Sequence, residues 1–386
     1  MTIVVTADEG RYDRQERITW WDQDLLASAR ALVVGAGALG NEIVKNLTLI
    51  GIGSIVVIDI DTIEMSNLAR CVFFREGDDG APKAATLARR ATELNPHIDI
   101  IGLQRDIRSL GTGIAFRADV MVGALDNREA RLTLNRLAWR ANRPWVDGAI
   151  EALNGVARVF HPGSSCYECT LTESDFAAIA HRQSCRLLSI DELEAGKVPT
   201  TATTASIVAG LQVQEVVKLL HARAGNTKPT DGGYCIDGTN NDAYTIRYPF
   251  DDNCLAHHTF DDPIEIEYND TLTFHDVLAA TQFDHGLIEL ADNHVESWRC
   301  AACDETTKCG RPATLITTRD AACPTCNVPR QPMLVTQIEV PSDRASTPIT
   351  SLGVRPDEVL AVRQGIEYRY VWVKQVDADL PELWNA

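Results

Sequence analysis

At 386 residues the chain is longer than one compact core usually needs, which predicts a large domain and a smaller one. Its 45% hydrophobic and 23% charged residues are those of an ordinary globular protein, with no apolar run of membrane-spanning length. The formal net charge of -18 (36 Lys and Arg against 54 Asp and Glu) argues against nucleic-acid binding, which needs a basic stripe. The opening residues have neither a basic start with an apolar core nor a small-residue cleavage site, so a cytoplasmic address is expected. Many of the eleven cysteines fall in CxxC-type pairs, which in such a chain points to zinc and a catalytic thiol rather than to disulfides.

In the first half, short β-branched runs at 31–34, 55–58 and 120–122 alternate with helical segments, the pattern of βαβ units and a mainly parallel sheet. Leu39, Ile43, Val44, Leu47 and Ile50 recur at helical spacing and supply one apolar stripe. Further helices are expected over 83 to about 94, stopped by Asn95-Pro96, and over 128–139. The segment of about 170–204 is polar and too long for a simple connection, so it reads as a functional crossover loop. Residues 206–220 return to helical periodicity and close the large domain. Beyond 261 come alternating strands such as 264–268, a cysteine-rich stretch and a last strand at 368–373. The expected fold class is therefore α/β: a Rossmann-like, mainly parallel sheet with helices on both faces over 1–260, then a small β-rich, zinc-containing domain over 261–386.

Gly35-Ala36-Gly37-Ala38-Leu39-Gly40 lies between a predicted strand and a helix, where glycines permit a tight turn and close approach of phosphates. Asp59-Ile60-Asp61 closes the next strand, placing a carboxylate at ribose distance. These two features suit an NAD-dependent oxidoreductase as well as any other nucleotide enzyme. The continuation does not: Ser66-Asn67-Leu68-Ala69-Arg70, Gly80-Ala81-Pro82-Lys83 and Asp126-Asn127 aim cations and an acid at phosphates. With Arg11-Tyr12-Asp13-Arg14-Gln15 they make an ordered set that resembles the ThiF/MoeB/HesA and ubiquitin-activating superfamily, as a bacterial-type homodimeric member, from residue 11 to about 258.

The resemblance implies ATP and Mg2+ as cofactors and assigns roles. Gly35, Gly37 and Gly40 would cradle the nucleotide, Asp59 and Asp61 would serve the ribose end, and Asn67, Arg70 and Lys83 would contact the triphosphate and stabilise charge on the leaving pyrophosphate. Asp126, followed by Asn127, would hold the magnesium. Arg131 would brace the loops, and Arg14 would reach into a neighbouring subunit's site, making a homodimer the active unit. Two positions depart from the family pattern: Ala38, where a fourth glycine is frequent, and Cys71, where glutamine is usual.

Cys166-Tyr-Glu-Cys169 and Cys254-Leu-Ala-His257 are two half-sites that together give three cysteines and one histidine, a closed structural Zn2+ set, with His258 as an alternative ligand. The family resemblance supports the pairing, although its second half there is usually CxxC. Cys300, Cys303, Cys323 and Cys326 stand in a C-x2-C-x19-C-x2-C arrangement, a zinc ribbon over 300–326 that would staple the small domain, with Cys309 as a spare ligand. Of the other cysteines, Cys71 and Cys235 read as buried and inert. Cys185, between Arg182 and Arg186 in the crossover segment, has the setting of a nucleophile. In enzymes of the resembled family a cysteine at this place accepts the acyl group.

The expected function is ATP-dependent adenylation of the C-terminal carboxylate of a ubiquitin-like or sulfur-carrier protein. Thioester formation on Cys185 and transfer to a partner such as a conjugating enzyme would follow. The catalytic set is Cys185, Arg70, Lys83 and Asp126. The alternatives are a tRNA-modifying dehydratase of the same branch, disfavoured by the acidic charge, and a non-catalytic scaffold subunit, disfavoured because the phosphate-facing Arg, Lys and Asp are all present.

Overall fold

The computed structural model describes residues 10–175, 199–222, 224–376 and 379–385. Strands β1 (Arg30–Val34), β2 (Ser54–Ile58), β3 (Asp99–Leu103), β4 (Val120–Gly123), β5 (Trp145–Glu151), β6 (Asn154–Phe160), β7 (Gly232–Asp237) and β8 (Asp242–Ile246) form one sheet in the order β3-β2-β1-β4-β5-β6-β7-β8. The half from β3 to β5 is parallel, as the βαβ pattern predicts. The remaining strands pair antiparallel: turns at Ala152 and Asn241, both in the left-handed region, reverse β5 into β6 and β7 into β8, while β6 and β7 are joined through the long segment that carries the helix Ala202–Ala222.

Alternation along the strands sorts the core into two layers. After the short helices α1 (Asp13–Glu16) and α2 (Gln23–Ser28), Val33, Ile55, Val57 and Val122 face α3 (Ala38–Ile50), α4 (Lys83–Leu94) and the long helix Ala202–Ala222; Leu32, Val34, Val56, Ile58 and Met121 face α5 (Gly113–Arg117) and α6 (Arg128–Arg140). The predicted stripe on α3 is buried, Ile43, Val44 and Leu47 fully, and each such side chain contributes about 1.5–3 kcal/mol. Among the described residues no helix is long and apolar enough to cross a membrane.

A second sheet follows: β9 (Ile264–Glu267), β10 (Gly286–Arg299), β11 (Thr306–Pro312), β12 (Gln331–Val340), β13 (Glu358–Gln364) and β14 (Glu367–Lys374), in the order β11-β10-β13-β14-β9, with β12 also on β10. It carries its own core of Phe274, Ile288, Ile338, Leu360, Val371 and neighbours. A separate small cluster of Val295, Trp298, Ile316 and Ala321 lies at the far end of β10. The cysteine-rich stretch lies at that end, and the main core of the small sheet contains none of its cysteines.

Buried polar contacts fasten this sheet to the first. The Gly113 N–H donates to Asp357 O at 2.7 Å, and Arg117 donates to the Asp357 carboxylate at 2.7 Å and to Trp384 O at 2.6 Å. The Thr112 hydroxyl donates to buried Glu358 at 2.8 Å, and the Trp384 indole N–H donates to Ser54 Oγ at 2.8 Å. Gly113 is required, since a Cβ there would lie 2.3 Å from the Trp372 ring nitrogen. Arg117→Ala leaves the Asp357 carboxylate at this junction without its cation, with only the Trp372 indole N–H at 3.1 Å and the Gln375 N–H at 3.4 Å, and should cost about 3 kcal/mol, read as a lowered midpoint in denaturant unfolding.

Candidate functional site

The order β2-β1-β4 makes the gap between β1 and β4 the point where the strand order reverses, and ligands of such sheets bind at the carboxyl ends of the strands there. Gly35 leaves β1 with φ +102°, and its backbone runs so close to β4 that a Cβ would lie 2.2 Å from Ala124 O. A Cβ on Gly40 would lie 2.0 Å from Gly35 O, so this glycine lets α3 start tight against the loop. Gly37 is the residue that precedes α3 and has open space around it. Ala38 is buried and accommodated within the first turn, so the missing fourth glycine does not disturb the loop.

Asp59, just past β2, accepts the Ala36 N–H at 2.6 Å and the Asp61 N–H at 2.7 Å. Burial raises its pKa, opposed first by the Ala36 N–H and then by the Lys83 charge. The Lys83 ammonium pairs with Asp61 at 2.7 Å, because the Lys83 N–H bonds Asp61 O and the segment 61–63 is laced to 80–83. Asn67 is buried in a 3-10 turn that it caps by accepting the Glu64 N–H, and Arg70, one turn on, donates to Ser66 O at 2.9 Å. Asp126 is exposed beyond β4, its Oδ1 taking the Asn127 amide at 3.2 Å, while Asn127 caps α6 by accepting the Ala130 N–H at 2.8 Å. Arg131 does brace this region: it donates to Leu125 O, to Gly148 O at 3.1 Å and to fully buried Asp147 at 3.0 Å. The structure thus brings the glycine loop, Asp59, Asp61, Lys83 and Asp126 to one edge of three adjacent strands. Arg14 sits exposed on the one-turn helix Asp13–Glu16.

Sequence reasoning missed Asn41. Fully buried on α3, it donates to Ala36 O at 2.8 Å and Gly37 O at 3.1 Å and accepts the Phe73 N–H at 3.0 Å, joining the glycine loop to the segment that carries Arg70. Its only signal was a polar side chain beside an apolar helical stripe.

Two cysteine clusters are assembled. Cys166 Sγ lies 3.7 Å from Cys169 and from Cys254, and Cys169 Sγ lies 3.3 Å from His257 Nε2. In the other, the sulfurs of Cys300 and Cys326, of Cys303 and Cys323, and of Cys303 and Cys326 are 3.5, 3.6 and 3.8 Å apart. Ligand atoms of a tetrahedral zinc site stand about 3.4–3.8 Å apart, so both sets fit one ion each and are too open for disulfides. Backbone N–H groups, that of Cys303 foremost, hold the Cys300 thiol down to about 6, while burial pushes Cys166 and Cys254 up and His257 down. His258 is not in the set and instead meets the Tyr370 hydroxyl at 3.2 Å; Cys309 packs against the Trp298 cluster, away from the ribbon ligands. Cys71 is buried, and that burial pushes its thiol up to about 11. Cys235 lies half-buried in β7. Cys185, with Arg182 and Arg186, lies outside the described residues.

A doubly wound sheet with a glycine loop at its reversal point and cationic and acidic side chains around it defines a nucleotide-binding fold of the Rossmann-like class. Residues 12–256 match the ThiF family, and the chain belongs to that family. It is 31% identical over 249 residues to the SAMP-activating enzyme E1 of Haloferax volcanii, covering 61% of this chain and 82% of that one. It is 37% identical over 169 residues to the sulfur carrier protein ThiS adenylyltransferase of Bacillus subtilis, covering 42% and 50%. Among solved structures, E. coli MccB with ATP superposes with a TM-score of 0.54 at 23% identity, over 66% of this chain and 75% of that one, a likeness of fold.

Proposed function

We propose that this protein is an ATP-dependent adenylyltransferase that activates the C-terminal carboxylate of a ubiquitin-like or sulfur-carrier protein. The observation that carries this reading is the meeting of the glycine loop, Asp59, the Lys83–Asp61 pair and Asp126 at one strand edge. Relatives named for SAMP activation and for ThiS adenylylation support the substrate class. A carboxylate oxygen of the small protein attacks the α-phosphorus, the bond to the β-phosphate oxygen breaks, and pyrophosphate leaves. Lys83, Arg70 and Asn67 steady the charge that builds on the phosphates; Asp59 and Asp61 orient the ribose end, and Gly35, Gly37 and Gly40 let the backbone approach. Magnesium, a hard cation suited to an exposed carboxylate, would be held by Asp126 and would neutralise the departing oxygens.

In the second step the Cys185 thiolate attacks the acyl carbon and AMP leaves, giving a thioester for transfer to a partner such as a conjugating enzyme. We take 1–260 as the adenylation domain with the crossover at about 170–204, 261–386 as a docking domain, a homodimer with Arg14 crossing between subunits as the active unit, and the cytoplasm as its place. The two clusters hold structural zinc.

Pyrophosphate exchange with ATP tests the reading: exchange should appear only when a small protein with a free C-terminal carboxylate is supplied, and exchange without one, or none with any, overturns it. In the same assay Cys185→Ala should keep exchange but lose a thiol-cleavable adduct on a non-reducing gel, whereas Cys71→Ala should keep both, since a thiol pushed to about 11 is not a thiolate at neutral pH.

A further inference from the structure

A histidine that binds a metal through one ring nitrogen is normally aimed by a hydrogen bond from the other to a carboxylate, carbonyl or water. At His257 that bond is poorly formed: its Nε2 faces Cys169 Sγ at 3.3 Å, while its Nδ1 is buried and the Asp251 backbone approaches the ring outside normal hydrogen-bond geometry. What holds the ring instead is a pair of aromatic faces. Trp139, near the end of α6, stacks on one side with ring centroids 4.1 Å apart and planes 24° apart; Phe250 stacks on the other at 4.5 Å and 24°. A parallel sandwich leaves the imidazole free to slide but not to tip, and so holds the plane in which Nε2 meets the sulfurs.

The same helix grips the other half of the set. Asn135, one turn before Trp139 and fully buried, accepts the Tyr167 N–H at 2.9 Å, and Arg136 pairs with Glu168 at 3.0 Å, so both residues between Cys166 and Cys169 are tied to α6. The buried Asn135 side-chain amide reaches the Cys166 sulfur, the sort of donor that a metal-bound thiolate satisfies.

We propose that Trp139 and Phe250 are positioning residues of the Cys166, Cys169, Cys254 and His257 centre, an aromatic clamp that makes up for a poorly formed aiming hydrogen bond on the ligating imidazole. This rests on the reading of that set as a zinc centre. The clamp also explains how a histidine can stand where the family usually has a cysteine: a thiolate needs no orientation about its own axis, and an imidazole does.

The test is metal retention by the whole protein, followed by zinc content under a graded chelator and by the absorption of the cobalt-loaded form. Wild type should hold about two ions, and Cys323→Ser should leave one, that of the clamped centre; a Cys323→Ser protein with none sinks the underlying reading. In that background the Trp139→Leu, Phe250→Leu pair should weaken retention about 10–100-fold and shift the cobalt bands, with Trp139→Phe restoring most of it. In a further His257→Cys background the same two leucines should change retention hardly at all. Equal loss with histidine or with cysteine at 257 would mean that the rings only support the fold, and no loss with histidine would mean that they do not aim it; either result overturns the proposal.

Discussion

Asp126→Ala should lower substrate-dependent pyrophosphate exchange on the order of a thousand-fold, about 4 kcal/mol of transition-state stabilisation, without a measurable change in unfolding midpoint. The two halves of this expectation have separate grounds. The carboxylate is exposed at the strand edge shared with the glycine loop, where a hard cation bridging phosphates would find it. The fold gives it little to do: it takes one 3.2 Å bond from its neighbour Asn127, while the capping of α6 belongs to Asn127 itself and the bracing of the loop to Arg131. Exchange at wild-type rate with a normal midpoint would remove Asp126 from the chemistry, and loss of both would make it a structural residue.

Cys323→Ser should release one of about two zinc ions and unfold the end of β10 and the ribbon around it, leaving the rest of the small sheet in place. Zinc bound to such a site contributes about 10–16 kcal/mol to the structure it closes, far more than the small apolar cluster of Val295, Trp298, Ile316 and Ala321 supplies alone. The core around Phe274, Leu360 and Val371 lies elsewhere and contains none of these ligands. Amide hydrogen exchange should therefore rise sharply over about 300–330 and stay protected in β13 and β14. Uniform loss of protection across β9 to β14 would show that the metal holds the whole sheet.

Strands β1, β2 and β4 of the large sheet were legible in the sequence because each is a short β-branched run between helical stripes, and the site was legible because its motifs are local in sequence. Gly35 to Gly40, Asp59 and Lys83 could be placed at strand ends and helix starts from their neighbours alone. Strand β5 was not legible, since residues 145–151 carry Asp147 and Gly148 in a strand that also receives Arg131 and Arg158, and such a buried ion pair breaks the apolar pattern that marks a strand. Both metal sets could be grouped by spacing. The choice of His257 over His258, and the exclusion of Cys309, depended on which side chains the chain reversal brings within reach, which spacing does not encode. The aromatic clamp joins residues 139, 250 and 257, with more than a hundred residues separating the first from the others, and no local pattern announces it.

The indole of Trp384 is buried against Ser54, 330 positions earlier in the chain, and the same residue's carbonyl receives Arg117. A contact of that span closes a loop containing nearly every other element, so closure entropy disfavours its early formation. The docking of residues 379–385 is therefore expected late in refolding, with the indole in water until then. In the opposite direction, release of that short segment removes one fastening while the bonds of Gly113, Thr112 and Arg117 to Asp357 and Glu358 still hold the two sheets together, so the tail can let go before the halves part.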